Sequence, residues 1–401
     1  MSFFTPIPFV SDPHPSHPLL VFAISTVIFS LAIQKRPGTG ARQALAALHL
    51  VSAGLALSLP STVLVPFNHV LAPAGLIITM HTAALLLIDK QVLSAGETWW
   101  FLLRAVYRIW ANPRRLQLPT SSSSRRSSDA TAATTGTFIR STARWFALTR
   151  CTRAAALLGT RHAAHYLASY YLLVKILRPI PSDFGPDSRG VLPLSARDLG
   201  LRAYVSGAWL MDTYVLLGAA HDIFGAVFVW ALAWDTVEEW TISPPLFGHV
   251  GEARSVRRFW GAFWHRLHLA VFEAYMPAAL PRKNDRVRSS NTMVVVVGAP
   301  LLRGLCMFAM SAVLHMAADW VVVGTLNAKA ELFFFLGNYA VCVAETVVGA
   351  WWRGRDARRP GCPPSSRAWG WLCRVVGYAW VVCVLVSLTP GWQYPLVYAA
   401  L

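Results

Sequence analysis

Apolar residues in this chain fall in long unbroken runs, without the alternation of a strand or the spaced stripe of a soluble helix. Leu19–Ile33, Ala44–Pro60, Val70–Ile88, Ile223–Trp234, Leu332–Ala344 and Val375–Leu388 contain no charged residue. A helix needs about 20 consecutive apolar residues to cross a bilayer core, and several of these runs reach or approach that length. The pattern predicts an all-α polytopic membrane protein. It places about eight crossings near residues 18–34, 44–60, 70–88, 163–177, 204–232, 292–323, 332–350 and 371–389. No repeat of 20–50 residues is visible, so the expectation is one membrane domain over residues 1–401.

Composition agrees with this reading. The chain is 55% apolar and only 14% charged, with a mean hydropathy of +0.45; a soluble protein of this length needs far more charged surface. No basic residue precedes the first apolar run, which therefore reads as a retained span and not a cleaved signal peptide. The net charge of +17 first suggests nucleic acid. Its placement points elsewhere. With eight crossings, alternate loops (35–43, 89–162, 233–291 and 351–370) hold 28 Lys/Arg, against 5 on the other side. That asymmetry puts the basic loops in the cytosol and makes the bilayer, not nucleic acid, the large partner.

Two basic loops are long. The first contains "PTSSSSRRSSDATAATTG", residues 119–136, a low-complexity stretch that cannot build a core and is expected to be disordered. It reads as a tolerated insertion or a phosphorylated regulatory segment. Before it, "TWWFLLRAVYRIW" suits a helix lying in the interface or packed against the body. The second loop contains "PPLFGHVGEARSVRRFWGAFWHRLH", residues 244–268. From Ser255, a candidate N-cap, the string predicts one helix. Its apolar face is Phe259, Phe263, Leu267 and Val271, with Arg258 and Arg266 on other faces.

Ionisable side chains inside a span are costly and are functional candidates by default. "LLRGLCMFAMSAVLHMAADWVVV" spaces Ser311, His315 and Asp319 by four, so they share a helix face. A buried imidazole tends to stay neutral, the state in which a general base must start. Asp319 could orient His315, or sit solvated at the lumenal boundary. His221 and Asp222 in the fifth span, and the His162/His165 and His265/His268 pairs, compete with it. These clusters are too few and too short for a di-iron centre, and the six cysteines form no C-x-x-C pair, so no metal site or disulfide framework is expected.

The combination of strings resembles the wax synthase-like branch of the membrane-bound O-acyltransferase superfamily, and within it the fungal enzymes that acetylate terpenoid and related secondary metabolites. The matching pieces are Pro244–Gly248, then Ser255-x-Arg257-x-Phe259-Trp260-Gly261, Trp264-His265, and the intramembrane Ser311-x-x-x-His315. An aromatic run with a downstream acid, "ELFFFLGNYAVCVAE" ending at Glu345, follows. "LTRCTRAAALLGTRH" and the terminal "SLTPGWQYP" are weaker echoes. The chain departs from plant members at His265, where they have Asn, and at Met316, where they have Glu.

The resemblance implies acyl transfer from an acyl-CoA, acetyl-CoA foremost, to a hydroxyl of a lipophilic acceptor at the endoplasmic reticulum, with no bound cofactor. His315 would be the base and His265 an oxyanion or positioning contact. Ser311, Asp319, Trp260 and Trp264 would support them. Arg254, Arg257, Arg258 and Arg266 would meet the CoA phosphates, for which arginine forks are suited. Two alternatives stay open: a wax-ester synthase using long-chain donors, and a transporter in which Arg303, His315 and Asp319 line a pathway.

Overall fold

The computed structural model describes residues 17–58, 68–93, 99–112, 132–193, 195–241, 245–277, 280, 293–324, 326–356 and 367–399. Among them every regular element is helical. The Ser-rich stretch up to residue 131, and Arg282 and Lys283 as two further basic candidates for the donor phosphates, lie outside the described residues, while Ala132–Gly136 open a helix. The helices are α1 (His17–Ile33), α2 (Gly40–Ser58), α3 (Asn68–Ala83), α4 (Trp99–Trp110), α5 (Ala132–Leu167), α6 (Ala196–Ala226), α7 (Val237–Thr241), α8 (Val256–Arg258), α9 (Leu269–Ala274), α10 (Met293–Val323), α11 (Ala328–Asp356) and α12 (Arg367–Ala399). π-helical turns extend α3, α5, α6 and α8 at Ala84–Ile88, Ala168–Leu177, Val227–Ala231 and Phe259–Phe263.

Among the described residues four stretches are long and apolar enough to cross a membrane: Ala196–Ala231, Gly298–Val322, Ala328–Trp352 and Trp371–Tyr398. Leu20–Ile33 and Ala72–Ile88 are apolar but shorter. The segments expected to cross near 44–60 and 163–177 are helical but are not among these. Leucines, valines and tryptophans of the long stretches, such as Val313, Trp320, Val347 and Val382, stay exposed, as side chains facing lipid do.

The residues pack as two compact units. One comprises Met1–Arg114, Ile180–Ala203 and His249–Leu401; the other comprises Arg115–Pro179 and Tyr204–Gly248. In the first, α1 to α3 are joined by polar bonds that satisfy groups no lipid could. His49 bridges Ser25 Oγ at 2.8 Å and Thr82 Oγ1 at 2.7 Å. Arg42, 3% exposed, donates to the carbonyls of Lys35, Leu86 and Gln91 and so closes the end of α3. Val106 of α4 packs into the cluster of Phe29, Ile33, Leu85 and Leu86, which makes α4 a packed structural helix.

In the same unit α10 lies against α3 and α11, and α11 against α8 and α12. Gly324, at φ +71°, ends α10 in the left-handed conformation that glycine adopts without a steric cost. Asn327 then caps α11, its Oδ1 accepting the Ala330 N–H at 3.3 Å. This tight turn brings the end of α10 beside the first turn of α11, where the site is assembled.

In the second unit the arginines of α5 face acids of α6. Arg150 and Arg153 bond Asp222 at 2.7 and 2.6 Å, and Arg161 and His165 both reach Asp212 at 2.7 Å. The segment near 163–177 therefore continues a long polar-faced helix, and an apolar run alone could not reveal that.

Candidate active site

His315 stands on α10 one turn after Ser311 and one turn before Asp319. Phe335 of α11 stacks on its ring, with centroids 4.9 Å apart and planes at 28°. Trp392 of α12 meets the ring edge-on at 5.4 Å and 84°. Phe334 in turn stacks on Trp392 at 4.5 Å. Trp392 donates its indole N–H to Glu331 Oε1 at 2.6 Å, and Glu331 is 2% exposed. An imidazole walled by two aromatic rings from two other helices, one of them backed by Phe334, has few rotamers open to it, the preorganisation a general base needs.

The aromatic segment supplies the rest. Ser255 caps α8 by accepting the Arg258 N–H at 3.2 Å, as its place in the sequence predicts. Glu345 accepts the N–H groups of Val256 and Arg257 at 2.7 and 2.9 Å and the indole N–H of Trp380 at 2.8 Å. The helix predicted to run on from Ser255 does not continue. Phe259–Phe263 form a π turn, and Trp264 leaves it in an extended conformation, at ψ 157°. The wide turn lets the Trp264 ring stack on Phe259, at 5.3 Å and 23°. Trp260 donates its indole N–H to the buried Asn338 Oδ1 at 3.0 Å, pinning the segment to α11. π turns recur at functional sites because they re-aim side chains that a regular helix would point elsewhere.

After that break the chain turns through His265 and His268 into α9. Val271 and Phe272 of α9 pack with Ile77 of α3 and Leu314 of α10, which sets the place of the turn. The His265 and His268 rings are 5.3 Å apart, His268 also meets Phe272 at 4.6 Å, and both imidazoles lie within electrostatic reach of His315. Burial, and then the neighbouring His268 and His315, hold His265 well below the usual histidine range. Burial and His315 push His268 down to about 3. Both are therefore uncharged at neutral pH, able to donate one N–H each.

The arginines divide. Arg254 and Arg257 are exposed. Arg258 is paired with Glu252, and Arg266 reaches back to the carbonyls of Gly261 and Ala262 at 3.5 and 3.4 Å. The Arg254 backbone lies so close to Gly377 of α12 that a Cβ there would collide with its carbonyl. Arg303 pairs with Glu273 at 2.6 Å, which neutralises the charge on which a transport pathway was to depend. His221 belongs to the other unit, its ring on Trp240 at 4.9 Å. Phe247 of the Pro245–Gly248 string packs there too, 4.6 Å from Tyr214.

This geometry can take a proton from a small group brought to His315, with the neutral imidazoles of His265 and His268 within electrostatic reach of it. Residues 243–337 match the model of the membrane bound O-acyl transferase family. The match contains the aromatic segment, the His315 helix and Glu331, and bears out the resemblance read from the motifs.

Similar proteins include acetyltransferase spyB of Aspergillus fumigatus, 31% identical over 52% of this chain and 34% of its own length. Acetyltransferase nanB of Aspergillus nanangensis is 28% identical over 56% of this chain and 52% of its own. O-Mevalon transferase yanI of Aspergillus niger is 27% identical over 47% and 42%. The chain thus spans about half or less of the length of these curated relatives. No solved structure matches it.

Of the residues singled out from sequence, His315, His265, Asp319, Trp260 and Trp264 fall in one unit with Ser311. Glu331, Asn338 and Trp392 were not singled out from sequence, and His268 only as half of a competing H-x-x-H pair. Glu331 opens the aromatic run whose far acid, Glu345, drew attention, and Trp392 lies in the terminal "SLTPGWQYP" string.

Proposed function

We propose that the protein is an integral membrane O-acyltransferase that moves an acyl group, acetyl first among them, from acyl-CoA to a hydroxyl of a lipophilic, terpenoid-like acceptor. The observation that carries this reading is His315 held between Phe335 and Trp392 with His265 and His268 within electrostatic reach. The family match over residues 243–337 supports the reaction class, and the names of the relatives above support acetyl transfer.

In this mechanism His315 takes the acceptor's hydroxyl proton as the oxygen attacks the thioester carbonyl carbon. The carbonyl electrons move onto oxygen, and N–H groups of His265 and His268 receive that oxyanion. Collapse re-forms the carbonyl and breaks the C–S bond. Protonated His315 returns its proton to the thiolate, so ester and free CoA leave with no covalent enzyme intermediate. Arg254 and Arg257, exposed beside α8, take the donor phosphates. The basic loops face the cytosol, the chain crosses the bilayer eight times, and the compartment is the endoplasmic reticulum.

Membranes containing the protein, incubated with acetyl-CoA or palmitoyl-CoA and a panel of terpenoid and fatty alcohols, test this by ester mass. Acetyl ester of a terpenoid alcohol is the expected product. Palmitoyl ester of a fatty alcohol in its place would make the protein a wax-ester synthase, and an inserted protein that forms no ester overturns the reading. Protease access to tagged loops in sealed microsomes checks the topology.

A further inference from the structure

A cavity of about 380 Å³ lies where α8, α11 and α12 meet, and the chemistry at His315 leaves it unused. Ser255 and Arg257 line it from the start of α8, Thr346 from α11 and Trp380 from α12. Its volume is that of a small-molecule pocket, and its lining offers one cation, two hydroxyl groups and one large aromatic ring. Glu345 lines it too, but its carboxylate is already committed to the N–H groups of Val256 and Arg257 and to the Trp380 indole N–H at 2.8 Å. That last bond fixes the plane of the Trp380 ring, which is 47% exposed. Thr346 gives its hydroxyl proton to the Cys342 carbonyl at 2.7 Å and so presents an acceptor. Ser255 Oγ accepts the Arg258 N–H, which leaves its own proton to donate. A fixed ring suits a stacked base, and an exposed guanidinium suits a phosphate.

Distance decides which ligand carries both. Phe335, stacked on His315, and Glu345 stand ten residues apart on α11, about 15 Å by the rise of a helix. The aromatic segment follows α11 between these levels, with Val256 and Arg257 bonded to Glu345 and Trp260 to Asn338. The pantetheine arm that joins a CoA thioester to its pyrophosphate has about twelve bonds in its chain and an extended reach of about 14 Å, that of roughly four peptide residues. A thioester carbonyl at His315 therefore puts the nucleotide at the level of this cavity.

Resting on the reading of His315 as the base of an acyl-CoA-dependent transferase, we propose that the cavity holds the adenosine phosphate end of the donor, with adenine stacked on Trp380 and a phosphate on Arg257. Trp380 is then a residue that determines donor specificity. It favours CoA thioesters over thioesters of the bare pantetheine arm, which has no base to stack.

The test is direct binding, which needs no knowledge of the acceptor. Val348, which also lines the cavity, is exposed as side chains facing lipid are, so labelled CoA is bound to the full chain in phosphatidylcholine nanodiscs with and without phosphatidylserine. Adenosine 3′,5′-bisphosphate, the nucleotide end without its arm, should displace the CoA better than pantetheine does. W380A should weaken CoA binding about tenfold or more, the effect of one stacked base. W380F keeps an aromatic face and should recover most of that loss. In ester formation, the preference in kcat/KM for acetyl-CoA over S-acetyl pantetheine should fall by a similar factor in W380A. Equal losses with both donors, or CoA binding that neither W380A nor the bisphosphate disturbs, overturn the site. Displacement of CoA by phosphatidylserine and not by the bisphosphate overturns it as well, and gives the cavity to a lipid headgroup. If wild type forms ester from acetyl-CoA while W380A binds CoA normally, the site alone fails. If CoA binding depends on Trp380 but no ester forms, the acyl-transfer reading alone fails.

Discussion

The Glu345 carboxylate accepts the backbone N–H of Arg257 at 2.9 Å across 88 residues of chain. A carboxylate at a helix N-terminus satisfies orphan N–H groups and opposes the positive end of the dipole, and here it also ties α8 to α11. Arg257 is thereby held where its exposed side chain can meet a cytosolic ligand. Glu345→Ala should raise the apparent KM for the CoA donor by about three- to tenfold while kcat falls less, since donor phosphates far from the reacting carbon contribute mostly uniform binding. Glu345→Gln keeps one acceptor oxygen for Val256 and Trp380 but turns an NH2 toward the Arg257 N–H, so it should recover only part of the loss. Donor-dependence curves of the two variants in one membrane preparation check this, and an unchanged KM in Glu345→Ala would separate the cap from donor binding.

The arginines of the segment should not behave alike. Arg258 is engaged by Glu252 and Arg266 by the carbonyls of its own turn, whereas Arg254 and Arg257 are exposed. Arg257→Gln should raise the donor KM several-fold, and adding salt should weaken donor binding to wild type more than to the variant, as screening of a phosphate contact requires. Arg258→Gln should chiefly lower expression or thermal stability. Equal KM effects in both would mean that the Arg258–Glu252 pair opens in the donor complex.

His268 is expected to matter, although the spacing H-x-x-H says nothing of the ring's direction. His268→Ala should lower kcat by about a hundredfold, the smaller end of what one oxyanion donor contributes, while His221→Ala in the other unit keeps much more activity. His268 also makes a pH prediction. Its folded pKa, pushed down to about 3 by burial and by His315, lies below the ordinary value of 6.5. The unfolded chain therefore binds the extra proton first, and stability is lost as pH falls from about 6.5 towards that value. Detergent-purified protein should melt several degrees lower at pH 5 than at pH 7.5, and His268→Asn should reduce that difference. An identical pH slope in the variant would assign the loss to other groups.

Much of this was legible in the chain and part was not, for physical reasons. Ser255 as a cap, the shared face of Ser311, His315 and Asp319, and the long apolar helices follow from local spacing. The break at Trp264 does not, because the π turn is favoured by long-range packing: Trp260 on Asn338 and Trp264 on Phe259. Glu331 and Glu345 bracket one aromatic run and are the same residue type. Fourteen residues of helix put them about 21 Å apart, one beside His315's neighbours and the other at the cap of α8. Trp392 reaches His315 only because α12 packs on α11, a contact with no local signature. Residues 163–177 read as an apolar run of their own, and only the fold shows that they continue α5, whose Arg161 and His165 bond Asp212.

The most demanding prediction concerns His315 itself. Its ring is stacked on Phe335 and edged by Trp392, so removing it leaves a gap between aromatic side chains but no charged group without a partner. Loss of a general base typically costs about 10²–10⁴-fold. His315→Ala should therefore insert at near wild-type levels and lose ester formation by that order, with acceptor binding preserved. His315→Gln is the companion variant: it fills the same space and can hydrogen-bond but cannot cycle a proton, so it should be as inactive as the alanine variant and better folded. Retention of more than about a tenth of the wild-type rate by a well-inserted His315→Gln, against that general-base range, would leave the aromatic enclosure as a binding wall. His268, already neutral and adjacent in the turn before α9, would then be the base to examine.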